Sequence, residues 1–490
     1  MTAAMPNPEA RRREAAPAAR ALPGLRAFCA LLIVGCLAGC SSLRPWLNEP
    51  LPDHPPPRAV TVATAARDPS ILVAVTLSGG GARAAAFGYG VLAELHRTQF
   101  QWNGRTTDLL DATDVISGVS GGSILAAYYA AFGAGKLPDF ERDFLRQNFQ
   151  NSLILQALRP GSLYDLTSPW YGRSHLLARR LDEIYQGKTY GDVERNPRHP
   201  QLVIAATDMS LGTPFEFTPD QFELICSDLS TVPLSFAVAA SSAVPILLSP
   251  MTLKNYAQDC RDRGIQPRLA MRAGGNYRAR MFRMQANSYL DAQARPFIHL
   301  VDGGVADNLA VRRLLDRALV GGGLGESFEE VGIPRGSVRK LVVISVNSAR
   351  DPANNIDQSD RVPGMRGVAD TLLFGAGARA TLETQEFLAD TARQWREDLK
   401  TRGGEVADAF APDAQIHVVQ VNLRDAADGE LRLRLLQVPT AFSISDEEVT
   451  RLIAAGRSAL HRSPEFQELL RSLGASEAPL DAPVPSSALH

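Results

Sequence analysis

Residues 114–129 read Asp114-Val-Ile-Ser-Gly-Val-Ser-Gly-Gly-Ser-Ile-Leu-Ala-Ala-Tyr-Tyr129. A short β-branched strand here runs into a serine and then, with no linker, into an apolar helix. Gly118, Ser120 and Gly122 fill the G-x-S-x-G pattern of a nucleophile elbow, in which glycines leave room for a strained strand-to-helix turn. The pattern predicts that Ser120 points toward a substrate, near the free N–H groups of a helix start. The alternative is an ordinary tight turn with a serine as the helix cap.

A similar strand, glycine turn and helix precede this unit. Residues 71–77 (Ile-Leu-Val-Ala-Val-Thr-Leu) form a continuous apolar run, which is typical of a central parallel strand covered on both faces. In the turn that follows, Gly79, Gly81 and Ala84 also fit the dinucleotide fingerprint G-x-G-x-x-A, whose N–H groups bind a pyrophosphate. Because the next strand ends in a serine elbow and not in a ribose-binding acid, we favour the interpretation that these N–H groups serve an oxyanion.

A third stretch with chemical potential is Phe297-Ile-His-Leu-Val-Asp-Gly-Gly-Val-Ala-Asp-Asn308. It predicts an apolar strand that ends in Asp302, after which Gly303 and Gly304 let the backbone turn sharply. The ends of strands are where α/β folds place their chemistry, so Asp302 is a candidate catalytic residue. The alternative, an aspartate that caps the following helix, fits Asp307 better.

The amino-terminal region has the features of a targeting segment. Five arginines precede an apolar run over residues 27–37, which is too short to span a bilayer and is typical of a secretory signal. The run leads into Leu37-Ala-Gly-Cys-Ser41, which resembles the lipobox of bacterial lipoproteins and makes Cys40 the lipidated first residue of the exported chain. Ser41 is not the aspartate that often retains lipoproteins at the inner membrane, which favours the outer membrane. A plain signal peptide or a short retained anchor is the alternative.

Composition and cysteine content narrow the possibilities further. The net charge of −2 gives no basic surface for nucleic acid, and 45% hydrophobic residues are ample for a core. If the signal segment is removed, Cys226 and Cys260 remain besides Cys40. Export permits a disulfide between them, and two unpaired buried thiols are the alternative.

We expect the chain to be organised around one large domain. The predicted divisions are a signal peptide (1–39), a proline-rich spacer (40–70), an α/β domain (71–475) and a disordered tail (476–490). An insertion near residues 254–295 interrupts the domain and holds eight arginines against three acidic residues. This insertion could be a lid that faces phospholipid, or a solvated surface excursion.

Three pieces in this order, Gly79-Gly-Gly-Ala-Arg83, Gly118-Val-Ser-Gly-Gly122 and Asp302-Gly-Gly304, resemble the patatin-like phospholipase family. The resemblance runs from about residue 73 to residue 346. It implies a three-layer α/β/α sandwich around a mainly parallel central sheet. It also implies a Ser-Asp dyad that hydrolyses acyl esters of lipids without a metal or a cofactor, with Ser120 as nucleophile and Asp302 as base.

The resemblance assigns roles to the first glycine turn as well. The loop of Gly79, Gly80 and Gly81 would supply the N–H groups of an oxyanion hole, and Arg83 would brace that loop. Ala84 stands where the family usually has glycine, but alanine suits a helix and removes no N–H donor, so we expect the hole to survive. The implied partners are a phospholipid or another lipid acyl ester and a membrane, while the oligomeric state does not follow from the sequence.

Two other functions are compatible with these residues. A Ser-His-Asp hydrolase would need a histidine after the acid, and His417 and His461 are the candidates. A lipid-anchored binding protein that has lost catalysis is the second. The intact Ser120 and Asp302 count against it.

Overall fold

The computed structural model of the chain describes residues 41–53, 68–196, 198–265, 277–312, 315–316, 323–350, 360–362, 364, 376–402 and 404–475. The predicted signal peptide, Cys40, part of the proline-rich spacer, the middle of the basic insertion and the predicted tail lie outside the described residues.

The described strands are β1 (Ile71–Leu77), β2 (Gln99–Trp102), β3 (Arg105–Asp108), β4 (Thr113–Val119), β5 (Gln201–Asp208), β6 (Thr213–Phe217), β7 (Met251–Lys254), β8 (Phe297–Val301), β9 (Val338–Asn347) and β10 (Phe410–Asn422).

The described helices are α1 (Gly81–Arg97), α2 (Gly121–Phe132), α3 (Leu137–Phe140), α4 (Phe149–Ala157), α5 (Pro160–Asp165), α6 (Arg173–Tyr185), α7 (Tyr190–Glu194), α8 (Pro219–Leu224), α9 (Leu234–Ser241), α10 (Ala257–Asp262), α11 (Tyr277–Leu290), α12 (Leu324–Glu330), α13 (Ala376–Thr401), α14 (Gly429–Gln437), α15 (Asp446–Arg462) and α16 (Pro464–Leu473). Within the part of the chain that the structure describes, no helix combines the length and the apolar character needed to cross a bilayer.

The central sheet has eight strands in the order β10-β9-β1-β4-β5-β8-β7, and β6 pairs with β5. The pairs from β10 to β5 are parallel, whereas β6 and β8 run antiparallel to β5 and β7 runs antiparallel to β8. Each strand-to-helix unit of the first half of the chain returns to this sheet, as parallel pairing requires.

Both faces of the sheet are buried, as the unbroken apolar run of β1 predicts. Val73 and Val75 pack into the larger core with helices α1, α2 and α15, while Leu72 packs on the opposite face against α13 through Leu388 and Trp395. The predicted three-layer α/β/α sandwich around a mainly parallel sheet is therefore confirmed.

The basic insertion is attached to the edge of the sheet beyond β5. The Tyr289 hydroxyl donates to Asp208 Oδ2 over 2.9 Å, and Arg295 pairs with the same carboxylate over 2.6 Å. Before the insertion's undescribed middle, Cys260 is joined to Cys226 in a disulfide whose Cα atoms are 5.8 Å apart. The two cysteines thus take the paired arrangement, one of the two that the sequence left open.

Helices α1 and α15 touch through glycines, which allows the two backbones to approach closely. A Cβ atom added at Gly90 would lie 2.2 Å from the Ile453 carbonyl oxygen, and one added at Gly456 would lie 2.2 Å from the Phe87 carbonyl oxygen. Because backbone atoms cannot move aside cheaply, this contact holds the carboxy-terminal helices against the helix that follows the first glycine turn.

We expect Gly456→Ala to destabilise the fold, because its methyl group forces α15 away from α1. The expected loss is about 2 kcal/mol of unfolding free energy, the usual cost of overpacking a buried contact. Denaturant unfolding followed by circular dichroism measures it. Gly161→Ala is the matched control, since nothing lies within 4 Å of the added Cβ. Equal midpoints for the two variants would contradict the close helix contact.

Candidate active site

Ser120 stands between the end of β4 and the start of α2 in a strained conformation. Its φ of 49° and ψ of −121° place it outside the regions that a residue with a Cβ normally adopts. Two hydrogen bonds fix the backbone of the turn to β5. The Ser120 N–H donates to Ser241 Oγ over 2.8 Å, and that hydroxyl donates to the Ala205 carbonyl of β5 over 2.6 Å. The strand-serine-helix arrangement has the geometry predicted for a nucleophile elbow.

The glycines around Ser120 are required by contacts that leave no room for a side chain. A Cβ at Gly118 would lie 2.7 Å from the Gly122 carbonyl oxygen, and one at Gly122 would lie 2.5 Å from the carbonyl oxygen of Ser78. Between them, a Cβ at Gly121 would lie 2.0 Å from the Gly81 carbonyl oxygen. The elbow is therefore pressed directly against the first glycine turn.

The ends of β4 and β8 meet on one edge of β5. Both strands must share that edge, because β6 occupies the other edge along its whole pairing with β5. Val119 ends β4 opposite Ala205, and Val301 ends β8 opposite Thr207. Since β4 runs parallel to β5 and β8 antiparallel, their carboxyl ends point at each other across Ala206.

This arrangement brings Ser120 and Asp302, the next residue of each strand, into contact. The Asp302 carboxyl is buried and accepts hydrogen bonds from the Ser120 side chain and from the Gly304 N–H, the latter over 2.8 Å to Oδ1. Its backbone is held as well, because its N–H donates to the Ala243 carbonyl over 2.9 Å and its carbonyl accepts from Thr207 Oγ1 over 2.8 Å.

Burial raises the pKa of Asp302 to about 6, although the two hydrogen bonds from Gly304 and Ser120 act in the opposite direction. Among the described residues, no lysine or arginine pairs with this carboxylate, so no positive charge offsets the loss of hydration. The result is a carboxylate that is more basic than an exposed aspartate and that already touches a serine hydroxyl.

The glycine loop that starts α1 lies beside this pair. A Cβ at Gly79 would be 3.4 Å from Ser120 Cβ, and Gly80 and Gly81 have φ values of 142° and 62°. The Gly79 N–H donates to the Asn308 carbonyl over 3.1 Å, so it is not available to a ligand. Within the described residues, no group accepts a hydrogen bond from the N–H of Gly80 or Gly81, which leaves these two as the available donors.

Arg83 is buried on the far side of that loop and is bound by groups from distant parts of the chain. Its Nε donates to the Ser348 carbonyl over 3.0 Å, and Nη1 donates to the Val438 carbonyl over 2.7 Å and to Thr440 Oγ1 over 3.2 Å. A Cβ at Gly80 would lie 2.8 Å from Arg83 Nη2. The guanidinium therefore packs against Gly80 and links the start of α1 to residues 348, 438 and 440.

Sequence reasoning missed Asn308 as a residue of this region. Its side-chain oxygen would lie 2.6 Å from a Cβ at Gly79 and 3.1 Å from one at Gly304, so it fills the space between the glycine loop and the turn after Asp302. The neighbouring Asp307 has the capping role that was expected of it, because it accepts from the N–H groups of Leu309 and Arg312. Asn308 follows Asp302 by six residues, a spacing that carries no signal without the fold.

Neither histidine proposed for a Ser-His-Asp triad lies near Ser120. His417 of β10 lies in the same row of the sheet as Thr113 at the start of β4. The row runs from His417 through Val342 of β9 and Val73 of β1 to Thr113. His417 is therefore three strands away, about 14 Å, and about 20 Å back along the strand direction. His461 is hydrogen-bonded to Glu94. Glu94 lies 13 residues after Gly81 in α1, so this pair is about 20 Å from the glycine loop.

One group of described side chains has the spacing of metal ligands, and it lies away from this site. The candidate ligand atoms of His96, Asp108 and Asp111 are all within 4.8 Å of one another. His96 Nδ1 and Asp108 Oδ2 are 3.0 Å apart, and that hydrogen bond raises the pKa of His96. These residues lie near the carboxyl end of α1 and before β4. They are therefore at the amino end of β4, whereas Ser120 is at its carboxyl end.

Solved structures similar to this chain show low sequence identity. One is human GIVD cytosolic phospholipase A2, with 14% identity and a TM-score of 0.40, where the match covers 85% of this chain and 64% of that protein. Another is VipD from Legionella pneumophila, with 11% identity and a TM-score of 0.28, covering 82% of this chain and 67% of VipD. The chain thus spans less than two thirds of the human protein.

A search of curated protein sequences gave no match. The patatin-like phospholipase family model, in contrast, matches residues 75–358, which is more than half of the chain and includes both Ser120 and Asp302. This sequence is therefore a member of the patatin-like phospholipase family.

Proposed function

We propose that this chain is a serine-dependent hydrolase of lipid acyl esters, with Ser120 as nucleophile and Asp302 as general base. The observation that carries the proposal is the hydrogen bond from the Ser120 side chain to a buried carboxylate whose pKa is about 6. A serine hydroxyl needs a positioned base to take its proton. With a pKa near 6, Asp302 is ionised at neutral pH and is still basic enough to accept that proton.

In the first half of the reaction, Ser120 Oγ attacks the acyl carbonyl carbon and its proton passes to Asp302. The tetrahedral intermediate collapses when the bond to the alcohol oxygen breaks, and that oxygen takes the proton from Asp302 as it leaves. In the second half, water attacks the acyl-enzyme while Asp302 takes one of its protons. The fatty acid then departs and the proton returns to Ser120 Oγ.

The negative oxygen of each intermediate would be bound by the N–H groups of Gly80 and Gly81. Such a donor is worth about 10²–10³ in rate where it has been removed from other serine hydrolases. The buried charge of Arg83, whose Nη2 packs against Gly80, favours a negative oxygen at the same loop. The contact between this loop and the elbow favours the oxyanion role over dinucleotide binding.

The placement of the histidines argues against a Ser-His-Asp mechanism, because neither candidate is close enough to touch Ser120 or Asp302. An inactive binding protein is the remaining alternative. Nothing in its function would require a strained serine hydrogen-bonded to a buried carboxylate, an arrangement that costs stability.

We further propose that the protein is exported and held by lipid on Cys40 at the periplasmic side of a bacterial membrane, with the outer membrane preferred. The lipobox residues 37–41 support this placement. Two or more acyl chains hold a protein stably on a membrane, whereas the weak net charge of the chain would not.

The roles of the two catalytic candidates can be tested by substitution. We expect Ser120→Ala and Asp302→Asn each to lower the hydrolysis of a nitrophenyl ester and of a phospholipid by about 10³-fold or more, since each removes a group that reacts in the transition state. A fluorophosphonate probe should label the wild type and fail to label Ser120→Ala.

Ser327→Ala is the matched control, because this serine is also buried but lies in α12, away from the site. It should keep activity within about twofold of the wild type. Wild-type activity in Ser120→Ala would show that another residue is the nucleophile, and a wild type without any activity or labelling would leave only the binding function.

The proposed base makes the activity depend on pH. Because the pKa of Asp302 is raised, its carboxyl is protonated below about pH 6 and can no longer accept the serine proton. We therefore expect kcat/KM to fall about tenfold for each pH unit below 6 and to level off above it. Circular dichroism at each pH excludes unfolding as the cause. A limb centred near 4, the ordinary aspartate value of about 3.9, would contradict a desolvated base.

The proposed lipid anchor can be tested by labelling. Expressed in a Gram-negative host with labelled palmitate, the wild-type full chain should take up the label and stay with membranes after a carbonate wash. Cys40→Ala should take up none, because the thiol that would carry the lipid is gone. Cys36→Ala, which changes a thiol four residues earlier, should be labelled like the wild type. Label in Cys40→Ala would contradict the lipobox.

A further inference from the structure

The segment from residue 149 to residue 172 exposes an unusual amount of apolar surface. It contains helices α4 and α5, and its 24 residues include one basic and one acidic side chain. Leu155 and Leu158 are 65% and 62% exposed, and Tyr164 and Trp170 are about half exposed. Soluble proteins rarely leave several large apolar side chains together in water unless something covers them.

A second exposed pair lies on the loop after α9. Ile246 and Leu247 are 70% and 63% exposed. Ile246 has a φ of 73°, which is an outlier for a β-branched residue. Arg173 Nη2 donates a hydrogen bond to the Ile246 carbonyl over 2.8 Å. Arg173 is the first residue of α6, directly after the segment that ends at residue 172.

The two exposed regions are joined through α6. Arg180 Nε donates to Ser152 Oγ of α4 over 3.2 Å, and Arg179 pairs with Asp165 of α5 over 3.3 Å. The helices that carry the leucines therefore lie along α6, and the Ile246 loop is attached to its start. We call the surface formed by six of these residues the apolar face: Leu155, Leu158, Tyr164, Trp170, Ile246 and Leu247.

A short stretch of chain links the Ile246 loop to residues that hold the candidate active site. Ile246 lies three residues after Ala243, whose carbonyl accepts the Asp302 N–H over 2.9 Å. Ser241, whose hydroxyl accepts the Ser120 N–H, is the last residue of α9, the helix before that loop. One short stretch thus supports both candidate catalytic residues and then exposes two large apolar side chains.

The first described residues of the chain are bound to this same surface. The Ser41 N–H donates to Thr167 Oγ1 over 2.8 Å, and Ser168 Oγ donates to the Leu43 carbonyl over 2.7 Å. The Arg44 guanidinium lies 3.7 Å from the centre of the Trp170 ring. Ser41, the residue that follows the proposed anchor position in the sequence, therefore lies beside the apolar face.

We propose that the apolar face lies on the lipid layer that holds the Cys40 anchor, so that the site of Ser120 and Asp302 faces the membrane surface. The proposal rests on the proposed function and anchor, and it adds the surface through which the enzyme meets aggregated lipid. Acyl chains attached beside a surface keep lipid at a high local concentration there, which favours lipid over a protein as the occupant. Tryptophan and arginine side chains are also suited to the headgroup level.

The test uses the full lipid-bearing chain with Ser120→Ala, so that lipids are not consumed, reconstituted in vesicles of phosphatidylethanolamine and phosphatidylglycerol. A fluorophore is placed on Leu155→Cys, or on Leu433→Cys of α14 as the control at a similarly exposed leucine. Spin-labelled lipids should quench the fluorophore at 155 by about half or more and leave that at 433 nearly unchanged, because an interfacial face enters only about 5–10 Å into the lipid. Equal quenching at both positions, or none at either, would overturn the proposal.

A second arm measures function. In the otherwise wild-type full chain, replacement of Leu155 and Leu158 by glutamine should slow hydrolysis of vesicle phospholipid about tenfold, since two interfacial leucines are lost. Hydrolysis of a soluble nitrophenyl ester should stay within about twofold, as should both reactions when Leu382 and Leu433 are replaced instead. An equal loss on both substrates would contradict a docking role.

Failure of the proposed function can be told apart from failure of this inference. If the wild type hydrolyses neither substrate, the function is wrong, and the quenching experiment still decides whether the apolar face meets lipid. Sedimentation of the full chain adds a further outcome. A dimer that the glutamine pair at 155 and 158 dissociates would mean that a second copy covers the face, and this would overturn the proposal.

Discussion

The meeting of β4 and β8 on a single edge of β5 is the constraint on which the proposed chemistry depends. A parallel and an antiparallel neighbour share that edge, so two carboxyl ends that are 182 residues apart in sequence point at each other across Ala206. A shift of either strand by one residue would move its terminal side chain by about 3.3 Å and turn it to the other face. The end of α9 and the residues that follow it oppose such a shift, since Ser241 and Ala243 each bind one of the two residues that follow the strands.

The same junction explains how an aspartate can replace a histidine as the proposed base. Ordinary aspartate is too weak an acceptor near neutral pH, and a neighbouring cation would weaken it further. At Asp302 the fold removes water and places no described cation beside the carboxylate, while Gly304 holds it in position. Burial of this carboxylate costs the fold some stability, a cost that is common at active sites.

The fold class could be predicted, and so could the turns that carry Ser120 and Asp302, because these features depend on local sterics. The glycines beside Ser120 and the apolar strand before Asp302 are visible in the sequence, and the structure uses them for turns that admit no side chain. Features that depend on long-range pairing could not be predicted. They include the antiparallel direction of β8, the loss of the Gly79 N–H to Asn308, and the support of Ser120 by Ser241. The cysteine pairing was left open for the same reason, since spacing in sequence does not give distance in space.

The binding of the glycine loop by residues 438–441 has a consequence for the order in which the protein matures. The Ala441 carbonyl accepts a hydrogen bond from the Ala82 N–H at the start of α1. The Val438 carbonyl and Thr440 Oγ1 accept hydrogen bonds from the Arg83 side chain. These partners are synthesised about 350 residues after the loop that they support. A nascent or truncated chain that ends before residue 438 therefore contains Ser120 and Asp302 but lacks the residues that support its glycine loop. Under the proposed function, such a chain would be inactive until residues 438–441 are in place.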